Sequence, residues 1–94
     1  GVVLEGYIKV PVTDLYHFYL SSDDGSMLYV DGEKLVDNNG LHGLEEVKGT
    51  KALAAGYHRI RIEYFEKSGG DELHLMIESK TDKKKELPAL MLFH

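Results

Sequence analysis

The sequence predicts an all-β fold, an antiparallel β-sandwich of about eight short strands. Apolar and polar residues alternate with a period of two along most of the chain. Clusters of turn-forming residues separate these runs at intervals of about 8–12 residues. No apolar stripe with helical spacing is long enough for a helix. At 94 residues, the chain (residues 1–94) is expected to form a single domain.

The first two strands are predicted at residues 6–10 and 16–21. The first strand ends at Pro11, because proline has no N–H to donate to a ladder. In the second strand alternate side chains face the core, namely those of Tyr16, Phe18 and Leu20.

A hairpin is predicted between strands at residues 27–30 and 33–36. The two residues between them are Asp31 and Gly32, which favour a type I′ turn with positive φ at both positions. Residues 37–43, with the sequence Asp-Asn-Asn-Gly-Leu-His-Gly, then have the composition of a loop.

The clearest strand pattern covers residues 57–65. One face carries His58, Ile60, Ile62 and Tyr64, and the other carries Tyr57, Arg59, Arg61, Glu63 and Phe65. Residues 44–53 before it are predicted as an irregular strand that contains Gly49. We expect His58 to be partly buried and hydrogen-bonded rather than to bind zinc, because no histidine pair has a zinc-site spacing and the chain has no cysteine.

The last part of the chain is predicted to hold two further strands. Residues 67–71 are a loop, and in the strand that follows Leu73, Leu75 and Ile77 alternate with polar side chains and Met76. A charged connector at residues 80–86 then leads to a terminal or edge strand at residues 87–93.

Composition excludes several classes of function. The net charge is -5 and no basic face is evident, which argues against a nucleic-acid partner. No apolar run approaches the roughly 18 residues that a membrane-spanning helix needs. The absence of cysteine excludes disulfides and thiolate sites, and no recognisable catalytic motif is present, so we expect this chain not to be an enzyme.

Two adjacent carboxylates, Asp23 and Asp24, lie in the loop after the second strand, in the string Ser-Asp-Asp-Gly-Ser. Carboxylate oxygens close together suit Ca²⁺, which takes several oxygen ligands. A solvated turn explains the same string, because Asp and Gly are also common turn residues. The residues alone leave both interpretations open.

Four strings in order resemble the protective-antigen-type (PA-14) domain family. They are residues 6–11 (Gly-Tyr-Ile-Lys-Val-Pro), residues 15–20 (Leu-Tyr-His-Phe-Tyr-Leu), residues 22–32 (Ser-Asp-Asp-Gly-Ser-Met-Leu-Tyr-Val-Asp-Gly) and residues 53–66. The resemblance extends from residue 6 to about residue 79. It implies a β-sandwich module of larger secreted proteins, here excised or short.

The resemblance also implies a ligand site. In the lectin branch of the family the aspartate pair binds Ca²⁺, which in turn binds sugar hydroxyls. Carried over, the metal ligands are Asp23, Asp24 and Glu66, and Glu66 or carbonyls of residues 67–70 complete the shell. Glu66 stands where that branch has an Asn. The predicted ligand-binding residues are Asp23, Asp24, Gly25 and Glu66, together with His42, which is included because it lies in a glycine-rich loop.

The predicted function is a non-catalytic accessory module, carbohydrate-binding, of a larger secreted enzyme such as a glycoside hydrolase. The implied partners are a glycan and neighbouring domains, and the implied location is extracellular, periplasmic or at the cell surface. Two alternatives remain: a ligand-free structural spacer, and a protein-interaction module that uses a tyrosine-bearing face. Tyr19, Tyr29, Tyr57 and Phe65 lie on the less apolar faces of their predicted strands.

Overall fold

The computed structural model describes residues 2–22, 25–38, 45–65, 73–87 and 92–93. These residues form nine strands in two antiparallel sheets, which confirms the predicted all-β sandwich. The strands are β1 (Val2–Val10), β2 (Asp14–Ser22), β3 (Gly25–Val30), β4 (Glu33–Asn38), β5 (Glu45–Leu53), β6 (Gly56–Phe65), β7 (Leu73–Glu78), β8 (Lys85–Glu86) and β9 (Leu92–Phe93).

One sheet has five strands in the order β4-β3-β6-β1-β9, and the other has four in the order β5-β2-β7-β8. In the five-stranded sheet, β1 and β6 form an unbroken ladder from Val2 opposite Tyr64 to Val10 opposite Gly56. In the four-stranded sheet, β2 is paired on both sides, with β5 and with β7. The long strands β1, β2 and β6 therefore set the frame of the sandwich.

The core lies between the two sheets and is built from the residues that face inward, which are every second residue along a strand. Burial of a large apolar side chain such as Phe18, which is 0% exposed, contributes about 1.5–3 kcal/mol. The predicted inward faces are confirmed in β2, β6 and β7. The buried cluster is Ile8, Val10, Tyr16, Phe18, Leu20, Leu28, Val30, Val36, Leu53, Ile60, Ile62, Leu75 and Ile77.

The β3–β4 hairpin turns at the predicted pair of residues. Asp31 has φ 51° and Gly32 has φ 82°, so both central residues are left-handed, as a type I′ turn requires. The Asp31 N–H also donates to the Arg59 carbonyl oxygen at 2.9 Å, which ties the turn to β6.

The prediction for residues 44–53 was wrong in one respect, because β5 is regular. It pairs with β2 without a register shift, from Asp14 opposite Leu53 to Ser22 opposite Glu45. Gly49 does not break the strand. A Cβ built at Gly49 would lie 2.6 Å from the Leu35 carbonyl oxygen, so glycine allows β5 to approach β4 of the other sheet closely.

Several further boundaries differ from the sequence prediction. β1 begins at Val2 because β6 supplies a partner for every residue from there on. Asp37 and Asn38 belong to β4 rather than to a loop, and Asn38 lies opposite Ser26. The charged connector ends in β8, and the Leu87 N–H donates to the Leu75 carbonyl oxygen at 2.9 Å, so residues 85–87 follow the edge of β7. Of the predicted terminal strand, Leu92–Phe93 forms β9 beside β1.

Candidate functional site

The strands meet at two unlike ends of the sandwich. The last residues of β2, β4 and β6 and the first residues of β3, β5 and β7 lie at one end, which we call the loop end. The registers show this directly: they place Ser22 opposite both Glu45 and Leu73, and Gly25 opposite Phe65. At the other end, the turn end, β1–β2, β3–β4, β5–β6 and β7–β8 are joined by residues 11–13, 31–32, 54–55 and 79–84.

All three connections at the loop end cross from one sheet to the other. They are residues 23–24 between β2 and β3, residues 39–44 between β4 and β5, and residues 66–72 between β6 and β7. Asp23, Asp24, His42 and Glu66 belong to these connections and lie outside the described residues. The described strand ends thus lie together at one end of the molecule. The three connections that begin and end on these strands carry the predicted ligand residues.

Two buried serine hydroxyls are hydrogen-bonded to each other across the ends of the connection that contains the two aspartates. Ser22 Oγ and Ser26 Oγ lie 2.7 Å apart, and both residues are 0% exposed. Ser22 ends β2 in one sheet and Ser26 is the second residue of β3 in the other. The pair therefore joins the two sheets immediately on either side of Asp23, Asp24 and Gly25.

Asn38 extends this buried polar group. Its Nδ2 donates to the Leu20 carbonyl oxygen at 3.3 Å, and the residue is 3% exposed. Buried polar groups without partners destabilise a fold, so bonds of this kind fix the strands that carry them. Sequence reasoning missed Ser22, Ser26 and Asn38, because serine and asparagine beside turns are expected at the surface.

Gly25 is the predicted ligand residue that the structure describes. It begins β3 and lies opposite Phe65, the last residue of β6. Residue 66 follows Phe65 directly, and residue 24 precedes Gly25 directly. The 66–72 connection therefore starts from the strand residue opposite the one at which the 23–24 connection ends.

The described residues contain no group of three or more His, Cys, Asp or Glu side chains that could hold a metal ion. Two aspartates that could have joined Asp23 and Asp24 are engaged elsewhere. Asp31 is bonded to His58 at the turn end, and Asp37 Oδ2 lies 3.4 Å from Lys34 Nζ.

The described histidines lie apart, each with its own partner. His17 Nδ1 lies 2.8 Å from Thr50 Oγ1, and His74 Nδ1 lies 2.8 Å from Glu86 Oε2. The His58 side chain is 14% exposed and bonded at both ring nitrogens, which confirms the partly buried, hydrogen-bonded histidine predicted for that position.

A family profile described as "PA14 domain" matches residues 1–89. The chain belongs to the PA14 domain family. The resemblance carried by the four sequence strings is thereby confirmed. The sheet order, the loop end and the buried serine pair described above are features of this PA14 domain.

Proteins similar to this PA14 domain include anti-sigma factors. The anti-sigma-I factor RsgI3 of Acetivibrio thermocellus is 30% identical over 89 residues, which cover 94% of this chain and 14% of that protein. A solved structure titled "anti-sigma factor domain-containing protein" has a TM-score of 0.83 and 26% identity, covering 95% of this chain and 32% of that one. A second, from Clostridium clariflavum, has a TM-score of 0.81 and 27% identity, covering 95% of this chain and 30% of that one.

The chain therefore spans well under half the length of these relatives. None of the three is named as a glycoside hydrolase, so they give no support to the glycoside hydrolase parent that the family resemblance implied. No helix in the described part of the chain has the length and apolar character needed to cross a membrane.

Proposed function

We propose that this PA14 domain is a non-catalytic, carbohydrate-binding sensor module of a larger regulator of the anti-sigma-factor type. The regulator class is supported by the similarity to anti-sigma factors, of which this chain covers only part. In such a protein the module would lie outside the cell and report the presence of a glycan to the rest of the chain.

The observation that supports binding is the convergence of strand ends at the loop end. Three cross-sheet connections begin and end there, and Asp23, Asp24, His42 and Glu66 belong to them. Binding residues are often carried on loops that a rigid scaffold positions. The two ladders and the buried Ser22–Ser26 pair supply that scaffold.

The ligand set proposed for Ca²⁺ is Asp23, Asp24 and Glu66, with carbonyl oxygens from residues 67–70. Three carboxylates and several neutral oxygens suit this hard cation, and the bound ion would present open positions to sugar hydroxyls. An exposed extracellular site of this kind is expected to have a Kd of about 10⁻⁴–10⁻³ M.

Calcium titration tests the metal. A ligand that binds only the folded state stabilises it by mass action, so about 10 mM Ca²⁺ should add about 1.4–2.7 kcal/mol to the free energy of unfolding. The Asp23→Ala/Asp24→Ala variant should show no such gain, and Mg²⁺ should give less because it demands a tighter octahedral shell. If Ca²⁺ changes the free energy of unfolding of the parent and of the variant by the same amount across the titration, the calcium site is refuted.

A glycan array with and without EDTA tests the sensor function. The parent should bind at least one class of glycan in Ca²⁺, and chelation of the metal should weaken or abolish that binding. A ligand-free spacer, in contrast, would bind no glycan in either buffer, and that result would overturn the proposal.

A further inference from the structure

The outward side of the five-stranded sheet carries an unusual set of side chains. We call this surface the outer face and define it by Glu5 and Tyr7 of β1 and by Tyr57, Arg59, Arg61 and Glu63 of β6. The register pairs Glu5 with Arg61 and Tyr7 with Arg59, so these residues share one side of the sheet. The core residues Ile60 and Ile62 point to the opposite side.

The two most exposed large hydrophobic residues in the described part of the chain are on this surface. Tyr57 is 70% exposed and Tyr7 is 57% exposed. They are diagonal neighbours across the β1–β6 pair, and Lys9 Nζ lies 5.5 Å from the centre of the Tyr57 ring. Two neighbouring exposed rings form an aromatic patch that folding alone does not require.

A groove of about 550 Å³ continues from this patch toward β3. It is lined by Tyr29, Asp31, Gly32, Arg59, Arg61 and Glu63. The lining is one aromatic ring and several planar polar groups, and the volume lies in the range of small-ligand sites. The Arg61 guanidinium lies 5.9 Å from the centre of the Tyr29 ring, within the range of a cation–π contact.

The charges of the outer face select the kind of ligand. Arg59 Nη2 lies 2.6 Å from Glu5 Oε2, and Arg61 Nη2 lies 2.9 Å from Glu63 Oε2. An anionic ligand would compete with the two glutamates, and a cationic ligand would compete with the two arginines. A hydroxyl group can accept from a guanidinium and donate to a carboxylate, so an uncharged, hydroxyl-rich ligand can bind without separating either pair.

We propose that the outer face is a second, calcium-independent binding surface for an extended, uncharged glycan chain. Sugar rings would stack their C–H faces on Tyr7 and Tyr57, whose ring faces are electron-rich. Sugar hydroxyls would bond to Arg59, Arg61 and Glu63. This inference rests on the proposed glycan-binding function and adds to it a surface distinct from the loop end.

The outer face is continuous with the loop end along one strand. β6 carries Tyr57 near the turn end and Phe65 at the loop end, eight residues on, which is a distance of about 26 Å. Phe65 is itself 37% exposed and lies on the same side of β6 as Tyr57. A glycan chain that lies along β6 would therefore contact both surfaces.

Affinity electrophoresis separates the two surfaces. The probes are hydroxyethyl cellulose, galactomannan and arabinoxylan as uncharged chains and polygalacturonate as an acidic one, each with EDTA and with Ca²⁺. The parent should be retarded by at least one uncharged chain in EDTA. Tyr7→Ala/Tyr57→Ala should weaken that binding about tenfold or more, and Tyr57→Trp should preserve it. Leu15→Ala, which removes an exposed apolar side chain from the other sheet, is the matched control and should bind like the parent.

Each outcome bears on one surface. Binding in EDTA that the tyrosine variant loses and the Asp23→Ala/Asp24→Ala variant keeps supports the outer face, and it does so even if the calcium site fails. Binding that depends wholly on Ca²⁺ and is unchanged in the tyrosine variant overturns the outer face and leaves the proposed function standing. Retardation by polygalacturonate alone, or a dimer in light scattering that the tyrosine variant converts to a monomer, also overturns it.

Discussion

His58 Nδ1 lies 2.6 Å from Asp31 Oδ2, and Nε2 of the same ring lies 2.7 Å from the Ala54 carbonyl oxygen. Both neighbours are acceptors, so the ring bonds to both only as the doubly protonated imidazolium. The Ala54 carbonyl and the Asp31 carboxylate together raise the pKa of His58, against partial burial and the charge of Lys51. The ring thereby links the β3–β4 turn to the β5–β6 turn.

The same contact lowers the pKa of Asp31. Partial burial acts to raise that pKa, but hydrogen bonds from His58 and from the Arg59 N–H outweigh it. The stabilisation that Asp31 provides is thus complete above its ordinary pKa of 3.8, and it is lost as the pH falls through the lowered pKa. Stability from His58 is complete below 6.5 and is lost as the pH rises through the raised pKa.

The pair should therefore stabilise the fold most between pH 3.8 and 6.5. We expect His58→Gln to lower the free energy of unfolding by about 1 kcal/mol or less near pH 5, and by less as the pH rises above the raised pKa. Denaturant unfolding over this pH range measures the difference. Asp31→Asn should remove the same pH dependence of the free energy of unfolding. The double variant should show the same pH dependence as either single variant. A constant difference at all pH values would contradict the ion pair.

The buried serine pair should be needed for stability. Ser26→Ala removes one partner of a 2.7 Å contact inside the protein, and we expect this to reduce the free energy of unfolding by about 1–2 kcal/mol. Ser21, at a partly exposed position near the end of β2, provides the control. Ser21→Ala should change the free energy of unfolding by no more than about 0.5 kcal/mol. Urea unfolding of the two variants provides the measurement, and equal midpoints would show that the pair is dispensable.

Gly49 should tolerate no side chain. A Cβ there would lie 2.6 Å from the Leu35 carbonyl oxygen and 2.8 Å from Val36 Cγ2, so β4 and β5 would have to separate. We expect Gly49→Ala to destabilise the fold by about 2 kcal/mol or more, since backbone atoms cannot rotate away. Ala52→Ser, at an exposed position of the same strand, should be nearly neutral in a thermal melt. Parent-like melting of Gly49→Ala would show that the two strands can move apart freely.

The β3–β4 turn depends on a left-handed residue at Gly32. Nothing lies within 4 Å of a Cβ built there, so conformation alone decides the effect of a substitution. At φ 82° alanine should cost about 1–2 kcal/mol, whereas asparagine, which visits this region more readily, should cost less. The order Gly, Asn, Ala in melting temperature is the expected result, and equal loss for Asn and Ala would contradict it.

Local patterns predicted the parts of the fold that local chemistry decides. Alternation placed Tyr16 and Phe18 in the core, and the Asp31–Gly32 pair fixed the hairpin, because both depend on residues close in the sequence. The regular path of β5 could not be predicted, since the reason for Gly49 is a carbonyl group of Leu35 in the other sheet.

The candidate site shows the same division. Asp23 and Asp24 are evident from the sequence because they stand in one of the four strings that resemble the PA14 family. The supporting Ser22–Ser26 pair and the Asn38 amide are not, because their burial arises from two sheets closing over them. The outer face needed the β1–β6 register, which brings Tyr7 beside Arg59 from 52 residues away.

The separation of a turn end from a loop end makes this small sandwich suitable for engineering. The register of every long strand is held by ladders and by the short connections at the turn end. Residues 23–24, 39–44 and 66–72 could therefore be replaced by randomised sequences, since the strand ends that anchor them are neighbours. A library built in this way would use the principle of antibody variable domains, with three diversified loops on one cysteine-free scaffold.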